Sequence, residues 1–359
     1  MELPINDSFL FLQSYLYILA IMPRKNIDPN PRQSAPQRPN YKRRAYNHDY
    51  TKPARYMLTL FKADDIPTLS AVKGDISISD PNNPNSPAAI VTKSGECIVR
   101  ALHEWHARYL IINVDEYVIM PDHIHLCVNV RFNLDVGLSR AVANLMGMTT
   151  KAYSELIYGK GTDKRIKFFK KGFTDSIAYS DDQYNNQRKY VTDNPRRLLM
   201  KRAYPDLYRR KWLIKIGDMQ LMAVGNIFLL KNPHIEVVRF SGNYSEGQVL
   251  MNLKRWERCI DNGGALISPF IHPKENDMRK KALARCGNII RICENGFSER
   301  FAPALEEFNY MGTKHLLLIG PAEYSTQKID MKRNLAMRMN LIAEMIANHP
   351  ENMRISPAN

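Results

Sequence analysis

The chain has 359 residues, 44% of them hydrophobic, and a net charge of +15. That is length for about two domains with real cores, and the positive excess favours a polyanionic partner, nucleic acid or an anionic membrane. Five cysteines (Cys97, Cys127, Cys259, Cys286, Cys293), an odd number with no C-x-x-C pair, give no sign of a disulfide framework or a zinc knuckle and fit a reducing cytoplasm.

Residues 8–22, SFLFLQSYLYILAIM, are apolar but shorter than a transmembrane helix. No Lys or Arg precedes them, so they make a poor signal peptide. The expectation is an upstream start codon, with 1–21 untranslated and Met22 the true start; a short amphipathic element or membrane anchor is the alternative. Residues 24–55 are rich in Pro, Asn and Arg. Arg32, Arg38, Lys42, Arg43 and Arg44 carry the charge, with Tyr41 and Tyr46 interleaved. Such a segment buries little apolar surface and is expected to be a flexible basic arm over 1–54. It either orders on a nucleic-acid backbone or stays a solvated tail.

Residues 55–62, RYMLTLFK, read as a first strand, and 80–87 as a turn-rich loop. Residues 94–109 have helical spacing, with Cys97, Ile98, Ala101, Leu102 and Trp105 on one side. Residues 117–130, YVIMPDHIHLCVNV, read as a buried strand. Side chains alternate along a strand, so His123 and His125 share a face with Cα atoms roughly 6–7 Å apart. Two rings at that spacing can lean onto one divalent metal. Two other readings stand: a pair of satisfied core histidines, or a histidine-triad nucleotide hydrolase, whose next alternating position is here Cys127. A second long helix is expected over 134–156, with Leu138, Val142, Leu145 and Met146 inward. Residues 165–171, RIKFFKK, are basic and aromatic, suited to tracking a phosphate backbone and stacking a base, or to a solvated strand edge. Ser180 and Gln183 have capping-box spacing. The helix they open is expected to stop at Asn194, because Pro195 disfavours helical geometry before it. Tyr190 and Asn194, four apart, share a helix face. Each also has an ordinary reading, as a packing tyrosine and a helix-end residue; Tyr184 lies on the same helix.

The histidine strand, with its Met120-Pro121-Asp122-His123-Ile124-His125, and the downstream Tyr190-Val-Thr-Asp-Asn194-Pro195 together resemble the single-tyrosine HUH transposases, the insertion-sequence-200-like family and its REP-associated relatives. The resemblance covers roughly 55–208, under half the chain. It implies an α+β ferredoxin-like HUH domain over 55–210, an antiparallel sheet with helices on one face, its opening strand beside the histidine strand. It further implies Tyr190 as nucleophile, and Mg²⁺ or Mn²⁺ held by His123, His125 and Asn194. The implied product is a 5′-phosphotyrosine with a free 3′-OH on single-stranded, hairpin-containing DNA. Lys167, Lys170, Lys171 and Arg188, with Arg43 and Arg44 of the arm, are the DNA-binding candidates. A domesticated protein that grips hairpins without cutting is the rival. A homodimer is left open, no membrane partner is expected, and the expected location is the cytoplasm.

The second half changes pattern. Residues 224–241, VGNIFLLKNPHIEVVRFS, and 262–270, NGGALISPF, resemble the Rossmann-like domain of DNA-processing protein A (DprA/Smf), with Arg279 where that family's basic residues follow. Phe240-Ser241-Gly242 replaces the family's Gly-Ser-Arg, and Pro269 its glutamate. The resemblance implies an α/β Rossmann-like domain over 213–327 with a mainly parallel sheet, including strands at 288–292 and 315–320. The plain alternative is an α/β domain with no retained site. Residues 328–359 are expected as a terminal helix and tail, with Met331, Leu335, Met339, Ile342 and Ile346 along one stripe.

Overall fold

Four strands, β1 (Ala54–Phe61), β4 (Ile112–Ile119), β5 (His123–Val130) and β6 (Thr174–Ala178), form an antiparallel sheet in the order β4-β5-β1-β6. A short hairpin, β2 (Ser70–Lys73) and β3 (Ala88–Val91), lies apart from it. The computed structural model describes residues 44–45 and 48–358 apart from 79, 81, 300, 302, 328, 330, 332 and 349. The apolar stretch at 8–22 and most of the basic arm, Arg43 included, lie outside those residues.

The alternation along β5 decides which face does what. Ile124, Leu126, Val128 and Val130 enter the main core of this half. His123, His125 and Cys127 point the other way. Against the Ile124 face pack α1 (Lys93–Arg108) and α2 (Leu138–Tyr158). Helix α1 is capped by Thr92, whose hydroxyl accepts from the Gly95 amide. Its stripe Cys97, Ile98, Ala101, Leu102, Trp105 is buried as expected. The Trp105 indole donates to the Ala141 carbonyl at 2.7 Å, tying α1 to α2. Each fully buried large apolar side chain contributes about 1.5–3 kcal/mol relative to exposure. Gly95 is required where α1 begins, since a Cβ there would sit 2.2 Å from the Leu69 carbonyl oxygen.

The face of the sheet that carries the histidines is covered by α3 (Asp181–Ala203), so the helices expected on one face lie on both, because Tyr184 and Val191 of α3 bury against Cys127. Ser180 caps it, accepting from the Gln183 amide at 3.2 Å. The Gln183 side chain reaches back to the amide of Tyr179. The helix does not stop at Asn194: Pro195 is inside it and buried. Proline lacks the N–H that Val191's carbonyl would accept from, at a cost of about 3 kcal/mol, yet the helix persists because both of its ends are packed. Tyr184 and Val191 belong to the cluster over the first sheet, while Met200 belongs to the core of the second. Residues 45–359 accordingly pack as one compact unit, with α3 shared between its two sheets.

After α4 (Pro205–Tyr208) comes a seven-stranded sheet in the order β13-β7-β8-β12-β11-β10-β9. Its strands are β7 (Lys211–Ile216), β8 (Met219–Gly225), β9 (Ile235–Val237), β10 (Ala265–Ser268), β11 (Asn288–Ile292), β12 (Leu316–Pro321) and β13 (Met353–Pro357). β9 to β12 pair in parallel, but β12-β8, β8-β7 and β7-β13 are antiparallel. The expected mainly parallel sheet is therefore mixed, because the β7–β8 hairpin joins one side of the parallel block. Helices α5 (Glu246–Asp261), α6 (Pro273–Ala284) and α7 (Leu305–Gly312) build the core on one face, and α8 (Arg333–Asn348) covers the other. Along α8, Met339, Ile342 and Ile346 are buried and Leu335 half-buried, but Met331 precedes the helix and is exposed. Residues 353–357, expected as tail, are the edge strand on β7.

Candidate active site

The site is built by three elements. In the antiparallel register Thr59 of β1 lies opposite His125, and Phe61 opposite His123. The Thr59 hydroxyl lies 2.8 Å from His125 Nδ1. His123 Nδ1 is 2.7 Å from Asp122 Oδ1. An ionised carboxylate only accepts, so Nδ1 of His123 carries the proton and its Nε2 a lone pair. The pairing holds the Asp122 carboxyl below its ordinary range, the His123 hydrogen bond being the first cause.

The two Nε2 atoms face each other at 3.0 Å. Without a cation one of them must carry a proton, so the neutral His125 ring then has Nε2–H and accepts from Thr59. If a cation lay between them, His125 would present Nε2 to it and carry its proton on Nδ1, donating to the Thr59 hydroxyl. Burial and the neighbouring His123 push His125 down to about 3, so its ring is neutral near pH 7. Two nitrogens about 2.1 Å from one ion and at right angles would be about 3.0 Å apart. The donor pair thus matches adjacent positions of a six-coordinate divalent ion, with Asp122 and Thr59 behind it as orienting partners. Among the described residues no group of three or more His, Cys, Asp or Glu side chains is disposed to hold a metal. Further ligands would be other oxygens: an amide, water or a substrate phosphate.

Helix α3 brings Tyr190 to this pair. Its ring centroid is 5.5 Å from that of His125, edge to face. Asn194, one turn on, is buried, and its amide Nδ2 donates to the Tyr190 carbonyl at 2.9 Å. That bond occupies Nδ2, so Oδ1 is the side-chain atom left to accept a hydrogen bond or meet a cation. Tyr184 does not compete. It is 4% exposed, its hydroxyl donates to Asp115 Oδ2 at 2.8 Å, and burial raises its phenol.

The basic candidates divide. Lys167 and Lys171 are exposed. Lys170 is paired with Asp64 at 2.6 Å, and Arg188 with Glu116 at 2.9 Å. Phe168 and Phe169 are buried in the core, so the 165–171 segment has no exposed phenyl ring for a base; its aromatics serve packing. Arg44 is half-buried; Arg43 lies outside the described residues. Two orienting partners, Asp122 and Thr59, are not among the residues singled out from the sequence: Asp122 is legible there as the neighbour of His123, whereas Thr59 needs the β1–β5 register.

In the second half the segments that carry the DprA resemblance do backbone work. Gly225 has φ of +116° and a Cβ there would meet the Leu316 carbonyl at 2.5 Å. Asn226 caps the turn Ile227–Lys231 and ties it to the Lys314 carbonyl. Gly263 turns the chain at φ of +73°, and Gly264 lets it pass Cys259. A cavity of about 370 Å³ beyond β10 and β11 is lined by Phe270, Ile271, Pro273, Asn276, Arg279 and Arg291. Both arginines there are compensated by Glu307.

No protein-family model and no curated protein matches the chain. Among solved structures it is similar to a REP-associated tyrosine transposase bound to a REP hairpin, at 14% identity and a TM-score of 0.30, over 42% of this chain and 72% of that one. No helix among the described residues is long and apolar enough to cross a membrane.

Proposed function

We propose that the chain is a DNA-strand transferase that cleaves and rejoins single-stranded, hairpin-bearing DNA through a 5′-phosphotyrosine on Tyr190. The observation that carries the reading is the packing of the Tyr190 ring against His125, whose Nε2 stands 3.0 Å from that of His123. In this reading residues 55–210 are an HUH-type ferredoxin-like domain and 213–327 a Rossmann-like accessory domain. A reducing cytoplasm suits five cysteines that are all free thiols.

His123, His125 and the Oδ1 atom of Asn194 would hold Mg²⁺ or Mn²⁺. Such an ion supplies positive charge to a non-bridging phosphate oxygen and to the leaving 3′ oxygen. With the ion bound, Asp122 and Thr59 would fix the two imidazoles so that both Nε2 lone pairs are turned to it. Tyr190 attacks phosphorus through its phenolic oxygen. The new bond is Tyr190 Oη–P, the broken bond is P–O3′, the phenolic proton leaves to solvent, and the 3′ oxygen takes up a proton. Reversal joins strands without a nucleotide cofactor, because the phosphotyrosine link keeps the energy of the diester. Lys167 and Lys171 are suited to neutralise the backbone.

The test is incubation of the full chain with single-stranded hairpin DNA and Mn²⁺, followed by denaturing electrophoresis. A covalent band in the wild type, absent in Tyr190→Phe, is expected. Hairpin binding without a band, across several substrates, would replace this reading with the non-cleaving hairpin binder.

A further inference from the structure

Arg197 is 4% exposed, an unusual burial for a guanidinium. Its Nη2 donates to the Pro303 carbonyl at 3.2 Å, and its Nη1 finds no hydrogen-bond partner among the described residues. The nearby Asp193 carboxylate is taken by Arg196, at 2.7 Å. A buried cation with so few partners is costly, and a simple pin between two helices would be cheaper as Met or Leu. What the guanidinium does have is two aromatic faces. It stacks on Phe308 of α7, 3.8 Å from the ring centroid, and lies 5.2 Å from the centroid of Tyr190.

The spacing explains how one side chain reaches both. Tyr190 and Arg197 are seven residues apart on α3, two turns and nearly one azimuth. Phe308 is itself held: its ring stacks on Tyr208 at 4.3 Å, and its carbonyl accepts from the Tyr208 hydroxyl at 2.6 Å. Helix α7 is locked against α3 by two further contacts. Arg196 donates to Asn309, and Gly312 gives way to Met200, whose Cε would lie 2.2 Å from a Cβ at that position. A stack Tyr190–Arg197–Phe308–Tyr208 therefore runs from the histidine pair into the core of the seven-stranded half.

We propose that Arg197 is a positioning residue for Tyr190, anchored by α7, so that the second half of the chain holds the tyrosine ring against His125. This rests on Tyr190 being the nucleophile. It gives the second half a task in the reaction that requires no nucleotide or DNA site of its own. The guanidinium acts through its plane and charge on the ring's π face. Phe308 acts only through Arg197. Loosening α7 should then be felt at Tyr190.

The experiment uses the full chain labelled with 3-fluorotyrosine, the Tyr190 ¹⁹F resonance being assigned by its absence in Tyr190→Phe. Arg197→Met, Arg197→Lys and Phe308→Leu are compared for that resonance, for Mn²⁺ affinity and for adduct formation on hairpin DNA. Expected for Arg197→Met are a displaced or broadened Tyr190 resonance and an adduct rate lowered roughly 10- to 100-fold, the scale of a misplaced reacting group. Mn²⁺ affinity and the half-saturating DNA concentration should hold within about twofold, since neither histidine moves. Arg197→Lys should recover part of the rate, because the charge returns without the planar fork. Phe308→Leu should shift the same resonance in the same direction, and the double variant should add little to Arg197→Met. A Tyr190 resonance and adduct rate unchanged in both Arg197→Met and Phe308→Leu, with only a lowered melting temperature, would make Arg197 a packing residue and overturn the proposal. A resonance that moves in the variants while the wild type forms no adduct would overturn the transferase reading and leave the positioning intact.

Discussion

His123 Nε2 and His125 Nε2 stand 3.0 Å apart, each ring fixed from behind through its Nδ1 by a different partner, Asp122 and Thr59. Such a pair can be tested as a ligand set without any DNA. Mn²⁺ should bind and raise the melting temperature, with stabilisation of about 2.7 kcal/mol at a hundredfold excess over Kd. His123→Ala should abolish that shift. Thr59→Val and Asp122→Asn keep both ligands and should weaken Mn²⁺ by roughly 10- to 100-fold through misorientation. Isothermal titration checks each; wild-type affinity in His123→Ala would dismiss the pair as ligands.

The same burial predicts an acid weakness in the metal-free protein. His125 is pushed down to about 3 from an ordinary 6.5. Between those values the unfolded chain binds a proton that the folded chain refuses, so stability present above the unfolded value is lost as pH falls towards the folded one. At pH 4.5 the loss should be about 2–3 kcal/mol. Asp122 also favours its charged form when folded, so its contribution is lost in the same direction, but chiefly below the ordinary carboxylate value of 3.8 and therefore mostly below pH 4.5. Urea denaturation at pH 7 and 4.5 measures the difference. His125→Asn should flatten the dependence; an equally steep profile in that variant would assign the acid loss elsewhere.

How much of this was legible in the sequence depends on whether the signal is periodic or tertiary. The strand alternation placed His123 and His125 on one face, and the helical stripe of α1 was read residue by residue, because both follow from backbone geometry alone. The stop at Pro195 failed for the opposite reason. A local preference was outweighed by packing at both ends of α3, through its own Tyr184 and Val191 against the first sheet and its Met200 in the core of the second. The Phe168-Phe169 pair reads as a base-stacking motif until the sheet is formed, since composition cannot tell a ring that meets solvent from one that meets Tyr153. Thr59 was illegible because its role is a cross-strand register, and the edge strand β13 because its partner, β7, lies well over a hundred residues away.

Tyrosine identity gives a prediction with a built-in control. Tyr184→Phe removes a buried hydroxyl that donates to Asp115, which should cost about 1–3 kcal/mol by leaving the carboxylate short of a donor. Covalent adduct should survive it. Tyr190→Phe should do the reverse, with near-unchanged melting and no adduct. Adduct persisting in Tyr190→Phe and vanishing in Tyr184→Phe would move the nucleophile.

The ion pairs sort the basic residues by their expected effect on salt dependence. Lys167→Ala and Lys171→Ala should each lower the slope of log K against log salt by about 1, the signature of one lost phosphate contact. Lys170 and Arg188 already face Asp64 and Glu116, so their alanine variants should change the slope less. Fluorescence anisotropy on a labelled hairpin across a salt series checks this. Equal slopes for all four variants would mean that the carboxylates release their partners on binding.

Asn194 carries two duties that substitution can separate. Its Nδ2 donates to the Tyr190 carbonyl at 2.9 Å, in the turn where Pro195 withholds an N–H, while its Oδ1 is the proposed ligand. Asn194→Asp keeps an oxygen for a cation and loses the donor, and it sets a carboxylate beside a backbone carbonyl. Stability should fall by about 1–3 kcal/mol, with Mn²⁺ affinity kept or raised by the added charge. Asn194→Ala loses both atoms and should combine a similar fall in stability with Mn²⁺ affinity reduced roughly 10- to 100-fold. Thermal melts with and without Mn²⁺ read the two effects separately. Undiminished Mn²⁺ affinity in Asn194→Ala would leave Asn194 as a brace for the helix turn beneath Tyr190, and the third ligand position would pass to water or to the substrate's phosphate.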